Sequence, residues 1–331
     1  MTHPAEVLFR GLKAPIVLPV CDHYAGNEGL IKKSLALQSK LAKNGIATFD
    51  VTADCEDGAP VGAEREHAAM VGDLIGSSAN AFNRIGIRIH DPAHANWHTD
   101  LEVALPRCGD KIAYINVPKV VSVEELDKVI SAVDDVCFQN GIRREIPIHV
   151  LIETHGAMLD VNAIAKRERV ECISFGLLDY ISEFNGALPS SVMQSPGQFE
   201  NPIVRQAKVN VSMACHSHGK VPSHGVTTNI SRPQLAGEDA ERASNEFGFA
   251  RMWSIHPAQI EHIVTALSPE FHEINRACEV LFAADAANWG PVQVAGKLED
   301  RASYRYWWLL LRRAHFAGAT LPDRAASWFR T

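Results

Sequence analysis

Short apolar segments alternate with longer amphipathic ones from about residue 15 to about residue 265. The short segments have the length of buried strands, and the longer ones carry apolar residues at helical spacing. Such alternation is typical of an α/β fold built on a parallel sheet. It predicts eight strands, at residues 16–21, 47–53, 85–90, 112–117, 148–152, 172–175, 221–226 and 252–255.

The stretches between the strands predict helices at residues 28–44, 64–75, 123–140, 158–166, 205–218 and 237–247, with weak helical character at 97–107. No GxGxxG or GxxxxGK motif indicates an open nucleotide-binding sheet. We therefore predict a TIM-type (β/α)8 barrel as the catalytic domain, over residues 1–268. Beyond it the pattern becomes purely helical, at 269–287 and 300–316, which predicts a C-terminal helical lid or oligomerisation arm over residues 269–331.

Composition and charge narrow the classes of function. The net charge of −7 and the scattered basic residues argue against a nucleic-acid surface, which needs clustered Lys and Arg. No apolar run is long enough to span a bilayer and no signal peptide begins the chain, so we expect a cytoplasmic protein without membrane contact. The 7 cysteines occur singly, which indicates free thiols in a reducing compartment.

Polar residues stand at the predicted carboxyl end of every strand, which is the end where barrel enzymes carry their chemistry. One such residue alone is more often a helix cap or a solvated charge, but a full set of strand ends favours a site. In chain order these residues are Asp22 and His23, then Asp54, Glu56 and Asp57, then Arg88 and His90, then Lys119, Glu153, Asp179, His224 and His256.

Two carboxylates, Glu153 and Asp179, follow neighbouring strands. With few other ligands they suit a hard cation that keeps some of its waters, which is the habit of Mg²⁺. Arg88 lies within an apolar strand, where an unpaired guanidinium would be costly. One possible partner is a structural carboxylate from the acidic run at residues 54–57, and another is the carboxylate of an acidic substrate. Arg88 can bind both at once.

The acidic run and His256 each allow two interpretations. Three carboxylates in four residues form either a solvated turn or a group that positions metal, water and Arg88, and the second is favoured after an apolar strand. His256, followed by Pro257, is either a base or a hydrogen-bonding residue that stabilises a turn. The aromatic cluster at residues 304–308 is typical of buried packing or of an oligomer contact.

Six segments form an ordered set: DCEDGA at 54–59, IRI at 87–89, VPKV at 117–120, LIET at 151–154, FGLLD at 175–179, and GF with SIHPAQI within 248–260. In this order they resemble the citrate lyase beta subunit family, within the wider group of metal-dependent aldolases and malyl- or citramalyl-CoA lyases. The resemblance covers about residues 15–300. It implies a modified (β/α)8 barrel in which Glu153 and Asp179 bind Mg²⁺, Arg88 grips the substrate carboxylate, and Glu56 and Asp57 hold metal-bound water or Arg88.

The resemblance also concerns the C-terminal arm. Residues 296–300 look like the family's lid motif, whose final residue, Asp300, would work at the carbon next to the thioester. Family members commonly form trimers or hexamers in which the arm of one subunit covers a neighbour's site, so we expect a homo-oligomer such as a homotrimer. Lys119 and His256 complete the set of candidate substrate contacts.

The sequence departs from the family pattern in four places. The departures are the first-strand turn at residues 20–26, which replaces a Val-Pro-Gly-like turn, Arg251-Met252 in place of Gly-Lys, Ser223 or His224 in place of an Asp, and Arg301 to Tyr304 after Asp300. These changes affect residues expected near the thioester more than residues expected near the metal.

The resulting hypothesis is Mg²⁺-dependent cleavage, or the reverse condensation, of a short hydroxyacyl thioester such as malyl-, citramalyl- or citryl-CoA. The carrier is CoA or an acyl-carrier protein. The metal would polarise the hydroxyl, and the departing thioester enolate would be stabilised and then protonated on carbon by Asp300. The alternatives are an aldolase that acts on a free hydroxy-keto acid, with His23 or His224 as base, and a non-catalytic subunit of a larger complex.

Overall fold

The centre of the molecule is a closed barrel of parallel strands, as described by a computed structural model for residues 3–330. The strands follow one another around the barrel in chain order, and β8 pairs back to β1. They are Cys21–Ala25 (β1), Phe49–Asp54 (β2), Ile85–Arg88 (β3), Ile115–Val117 (β4), Ile148–Ile152 (β5), Val170–Phe175 (β6), Val221–His224 (β7) and Arg251–Ser254 (β8). The predicted α/β class and TIM-type barrel are confirmed.

Helices connect the strands and surround the barrel. None of those in the described part of the chain is long and apolar enough to cross a membrane. They are α1 Pro4–Phe9, α2 Glu28–Leu41, α3 Glu64–Gly76, α4 Trp97–Cys108, α5 Val123–Gln139, α6 His155–Leu159, α7 Val161–Ala165, α8 Leu177–Ser182, α9 Gly197–Glu200, α10 Pro202–Ser217, α11 Gln234–Phe247, α12 Pro257–Leu267, α13 Phe271–Ala286, α14 Arg301–Phe316 and α15 Asp323–Ala326, with 3₁₀ turns at Ser190–Met193 and Ser327–Phe329.

The first strand differs most from its prediction. The strand was expected at residues 16–21, but β1 begins at Cys21, so Asp22 and His23 lie within it and not at its end. The apolar run before β1 has another role. The Ile16 N–H donates to Gly219 O, and Leu18 packs against Val221 at the amino-terminal end of the barrel strands.

The C-terminal part contains an element that the pattern did not predict. The expectation of purely helical structure after residue 268 is wrong, because Val292–Val294 (β9) and Lys297–Glu299 (β10) form an antiparallel hairpin between α13 and α14. Three-residue strands are too short to show an alternating pattern.

The described residues form two large apolar cores, besides the small cluster around Leu18. The larger core lies within the barrel and between its strands and helices. The smaller core joins α13 and α14 to α1, with Leu8 packed in the same cluster as Leu281, Tyr304 and Trp308. The packing interpretation therefore holds for Tyr304 and Trp308. The division into residues 1–268 and 269–331 stays a prediction, and its outer limits lie outside the described residues.

Helix α14 lies against the amino-terminal face of the barrel. Arg313 Nη2 donates to Leu267 O at 2.8 Å, and Arg312 Nη1 donates to Pro15 O at 2.7 Å. Residue 15 leads into β1, and the segments that lead into β7 and β8 line the same groove as Tyr306 and Leu309 of α14. The arm therefore sits at the end of the barrel opposite to the carboxyl ends of its strands.

Candidate active site

A cavity of about 410 Å³ lies at the carboxyl ends of the barrel strands. Its walls contain five of the residues that the sequence singled out as a site, namely Asp54, Asp57, Arg88, Glu153 and Asp179. They come from different strands and loops, and the closure of the barrel brings them together. This is the end of the fold at which barrel enzymes bind their substrates.

Arg88, the last residue of β3, is paired with carboxylates of the β2 loop. Its Nε and Nη2 donate to Asp54 Oδ1 and Oδ2 at 2.7 and 2.5 Å, and Nη1 lies 2.6 Å from Glu56 Oε2. Burial opposes the charge, but Asp54 and Glu56 hold the pKa of Arg88 above its ordinary value. Asp54 takes the edge formed by Nε and Nη2, so the edge formed by Nη1 and Nη2, beside Glu56, is the one that a substrate carboxylate could use.

Asp54 also fixes the loop that follows its strand. Its carboxylate accepts the backbone N–H groups of Glu56 and Gly58, each at 3.0 Å. A Cβ on Gly58 would lie 2.3 Å from Asp54 Oδ2, so only glycine lets the loop fold over this carboxylate. The acidic run is thus an ordered loop that holds Arg88 and presents Asp57 to the cavity.

Lys119 links the acidic loop to Glu153. Its Nζ donates to Glu56 Oε1 and, at 2.8 Å, to Asp57 Oδ2, while its backbone N–H donates to Glu153 Oε1 at 2.8 Å. Its φ of 49° is left-handed, a conformation that costs a residue with a side chain about 1 kcal/mol or more and is found at sites held by their surroundings. Lys119 is not part of the cavity wall, so its predicted contact with substrate stays a prediction.

Glu153 and Asp179 form the acidic corner of the cavity. Glu153 is only 2 % exposed, and burial, followed by the negative charges of Asp179 and Glu56, raises its pKa to about 8. A Cβ on Gly176 would lie 2.4 Å from Glu153 Oε2, so glycine at the end of β6 makes room for this carboxylate. Asp179 lies in the first turn of α8, a helix that begins directly after that glycine.

The acidic corner fits a hard divalent cation. Between residues 3 and 330 no group of three or more Asp, Glu, His or Cys side chains forms a complete metal cage. Two carboxylates leave positions for water and substrate oxygens, which is how Mg²⁺ is commonly held. The surroundings favour a cation as well, because the carboxylates of Asp54, Glu56, Asp57, Glu153 and Asp179 outnumber the positive charges of Arg88 and Lys119.

Comparison with known proteins identifies the group to which the chain is related. Residues 35–257 match the model of the HpcH/HpaI aldolase/citrate lyase family. The chain belongs to this family. A citrate lyase from Burkholderia xenovorans LB400 has a solved structure with 48% sequence identity and a TM-score of 0.85, over 99% of this chain and 100% of that one.

Two further proteins similar to this chain have a named activity or bound ligands. The L-malyl-CoA/beta-methylmalyl-CoA lyase of Cereibacter sphaeroides ATCC 17029 is 24% identical over 86% of this chain and 92% of its own length. The CitE protein of Mycobacterium tuberculosis, solved with magnesium, acetoacetate and coenzyme A, has 20% identity and a TM-score of 0.65, over 91% of this chain and 98% of that one. The second likeness shows a shared fold.

The histidines named by sequence reasoning lie outside the cavity of this family member. His23 Nδ1 lies 3.0 Å from Ser254 Oγ, and burial lowers the pKa of His23 to about 4. His224 Nδ1 lies 3.0 Å from Gly225 O, and burial lowers its pKa well below the ordinary value. His90 is held by Asp100 at 2.7 Å. Within the described residues, no histidine lines the cavity.

Two other candidates act as helix caps. His256 Nδ1 accepts the Ala258 N–H at the start of α12, with Gln259 completing a capping box. Asp300 accepts the Ala302 N–H at the start of α14 and lines a separate depression with Trp289. Neither is part of the cavity wall in its own chain, and their assigned roles at the substrate stay predictions.

Sequence reasoning missed an aromatic wall of the cavity. Tyr24 and Trp253 stack with ring centroids 4.9 Å apart, and the Arg88 guanidinium carbon lies 5.2 Å from the Tyr24 centroid. The buried Asn116 Nδ2 donates to the Tyr24 hydroxyl. A correct register for β1 is the signal that would have found Tyr24, because it stands two residues after Asp22 and thus on the same, inner side of the strand.

Proposed function

We propose that this chain is a Mg²⁺-dependent carbon–carbon lyase that cleaves, or forms, a short hydroxyacyl thioester of the malyl-, citramalyl- or citryl-CoA type. The observation that carries the proposal is the meeting of Glu153, Asp179 and the free edge of Arg88 in one cavity. Family membership supports the reaction class, and relatives named malyl-CoA lyases, aligned over most of the chain, support a thioester substrate.

The residues of the cavity have different roles in the proposed reaction. Mg²⁺, held by Glu153 and Asp179, would supply Lewis-acid polarisation of substrate oxygens. Arg88 holds the carboxylate of the hydroxy acid, and Asp54 and Glu56 keep the guanidinium in place. The hydroxyl proton passes to a carboxylate of the cavity wall as the bond to the thioester's α-carbon breaks. The bonding pair passes to the thioester fragment as its enolate, which then takes a proton on carbon.

Asp300 is the proposed donor of that last proton, and it must come from a second copy of the chain. In its own chain it caps α14, a helix that lies on the opposite face of the barrel. We therefore place the arm of one subunit over the cavity of its neighbour, in a homotrimer or a hexamer.

Exposed apolar side chains support this arrangement, because large unpartnered apolar surfaces mark interaction sites. Leu30, Leu178 and Ile255 are exposed and line the cavity, and further exposed residues of the segments that follow the strands are Val61, Val121, Leu159 and Ile230. A second group lies on the arm: Phe271, Leu298 and Tyr306. The cytoplasm remains our proposed location, since all the cysteines are free and buried.

The decisive experiment measures release of acetyl-CoA and a 2-oxo acid from malyl-, citramalyl- and citryl-CoA, with and without Mg²⁺. Cleavage that needs Mg²⁺ and is lost in Glu153→Ala is the expected result. Absence of cleavage across the panel with Mg²⁺ still bound would overturn the proposal in favour of a free hydroxy-keto acid aldolase or of a subunit that works only in a complex. A free hydroxy-keto acid aldolase is less well supported, because the cavity offers no histidine base.

A further inference from the structure

We propose that Tyr24 is a specificity-determining residue, and that the cavity takes a hydroxyacyl thioester whose oxo-acid part carries one carboxylate and only a hydrogen or a methyl group beside it. This inference rests on the proposed function and narrows its substrate class. It favours the malyl and citramalyl types, which yield glyoxylate or pyruvate, over the citryl type, which yields the dicarboxylate oxaloacetate.

Few positive charges face the cavity. Within the described cavity wall, Arg88 is the one cationic side chain. Lys119 stands behind the wall with its ammonium group held by Glu56 and Asp57. Arg88 has one free edge, which the first carboxylate of the substrate occupies. Mg²⁺ on Glu153 and Asp179 would be engaged by the oxygens of the oxo acid that Arg88 orients, so a second carboxylate would have no cationic side chain to pair with, which is costly away from water.

The aromatic wall formed by Tyr24 and Trp253 lies next to Arg88. The Arg88 guanidinium carbon lies 5.2 Å from the centre of the Tyr24 ring, and both side chains line the cavity, so we place the carbon next to an Arg88-bound carboxylate beside that ring. The substituent on that carbon is the one that differs between the malyl, citramalyl and citryl groups. Beside it stand the rings of Tyr24 and Trp253, which favour a hydrogen or methyl group and offer a carboxylate no charge partner.

Tyr24 is held in place by its neighbours. Trp253, stacked on one face of its ring, is 7 % exposed, and Asn116, which donates to its hydroxyl, is fully buried. A ring held in this way does not move aside for a larger substituent at low cost. Strand β1, whose sequence departs from the family pattern, thus supplies the wall that sets the size and charge of the substituent.

The test measures binding of glyoxylate, pyruvate and oxaloacetate at saturating Mg²⁺ by isothermal titration calorimetry. In the unmodified protein we expect oxaloacetate to bind at least about tenfold more weakly than the better of the other two. Tyr24→Val removes the ring. It should reduce several-fold the ratio of the dissociation constant of oxaloacetate to that of the better ligand. Tyr24→Phe is the matched control, which keeps the ring without the hydroxyl and should keep the ratio.

Each outcome bears on the inference. Oxaloacetate that binds as tightly as pyruvate overturns the selection, and a ratio unchanged in Tyr24→Val overturns the role of Tyr24. Mg²⁺ affinity and thermal unfolding, measured on every variant, show whether the cavity is intact. Because oxo-acid binding needs no turnover, failure of thioester cleavage would count against the proposed function and not against this selection.

Discussion

At the scale of single residues, Gly176 decides whether the Glu153 carboxylate can stay in its place. A Cβ at Gly176 would lie 2.4 Å from Glu153 Oε2, closer than any tolerated contact. We therefore expect Gly176→Ala to displace the carboxylate and to lower Mg²⁺ affinity by roughly 10- to 100-fold, the loss typical of disturbed metal surroundings. Calorimetric titration with Mg²⁺ measures this effect.

A second glycine supplies the matched control for that substitution. Gly29 lies in α2, and the nearest atom to a Cβ there would be Asn27 Oδ1 at an ordinary 3.5 Å. Gly29→Ala should leave Mg²⁺ affinity unchanged. Equal affinities in the two variants, with both proteins folded by circular dichroism, would contradict the place given to Gly176.

The residues of the site differ in how well their chemistry shows in the sequence. Arg88 could be predicted to have a carboxylate partner, because an unpaired guanidinium is costly in an apolar strand, and Asp54 is that partner. Tyr24 and Trp253 could not be assigned in the same way, because aromatic residues in strands are ordinary core residues. Their contribution depends on which side of the strand faces the cavity, and that follows from a register set by tertiary packing.

At the scale of elements, the strands with strong apolar runs were predicted best. The strand Ile148–Ile152 matches its prediction at both ends, since its apolar run stops at a carboxylate. The first strand was misplaced because residues 16–18 are as apolar as a strand but pack under the barrel. Hydropathy records burial, and a buried connection has the same hydropathy as a buried strand.

Helix α10 carries a buried lysine that makes stability depend on pH. Lys208 is fully buried, donates to Gln198 Oε1 at 3.0 Å, and lies 3.7 Å from the Phe199 ring centre. Burial lowers its pKa from 10.5 to about 7. Between these values the unfolded chain binds a proton that the folded chain does not, so Lys208 lowers stability as pH falls from 10.5 to 7, and the cost is complete below that window.

Replacement of this lysine should remove that dependence. We expect the free energy of unfolding of Lys208→Met, relative to the unmodified protein, to rise by up to about 1.4 kcal/mol per pH unit as pH falls from about 10 to about 7. Urea unfolding of both proteins across this range measures the difference. A difference that stays constant with pH would show that the lysine keeps an ordinary pKa in the folded state.

At the scale of the whole molecule, the proposed site is shared between two chains. Glu153 lies in the cavity of one subunit, whereas Asp300 lies on an arm at the other end of its own barrel. A shared site predicts complementation between two inactive variants. Glu153→Ala removes a metal ligand, and Asp300→Asn removes the proton donor while leaving Mg²⁺ binding intact, so each variant alone should be nearly inactive.

Mixed oligomers of the two variants should regain activity. A cavity with an intact Glu153 meets an arm with an intact Asp300 whenever the two neighbours are different variants in the right order, which random mixing gives in about one quarter of the sites. Co-expression, purification of the mixed oligomer and the thioester cleavage assay should therefore give about one quarter of the unmodified activity. If Asp300 acted within its own chain, every site would lack one group, and the mixture would stay as inactive as its parts.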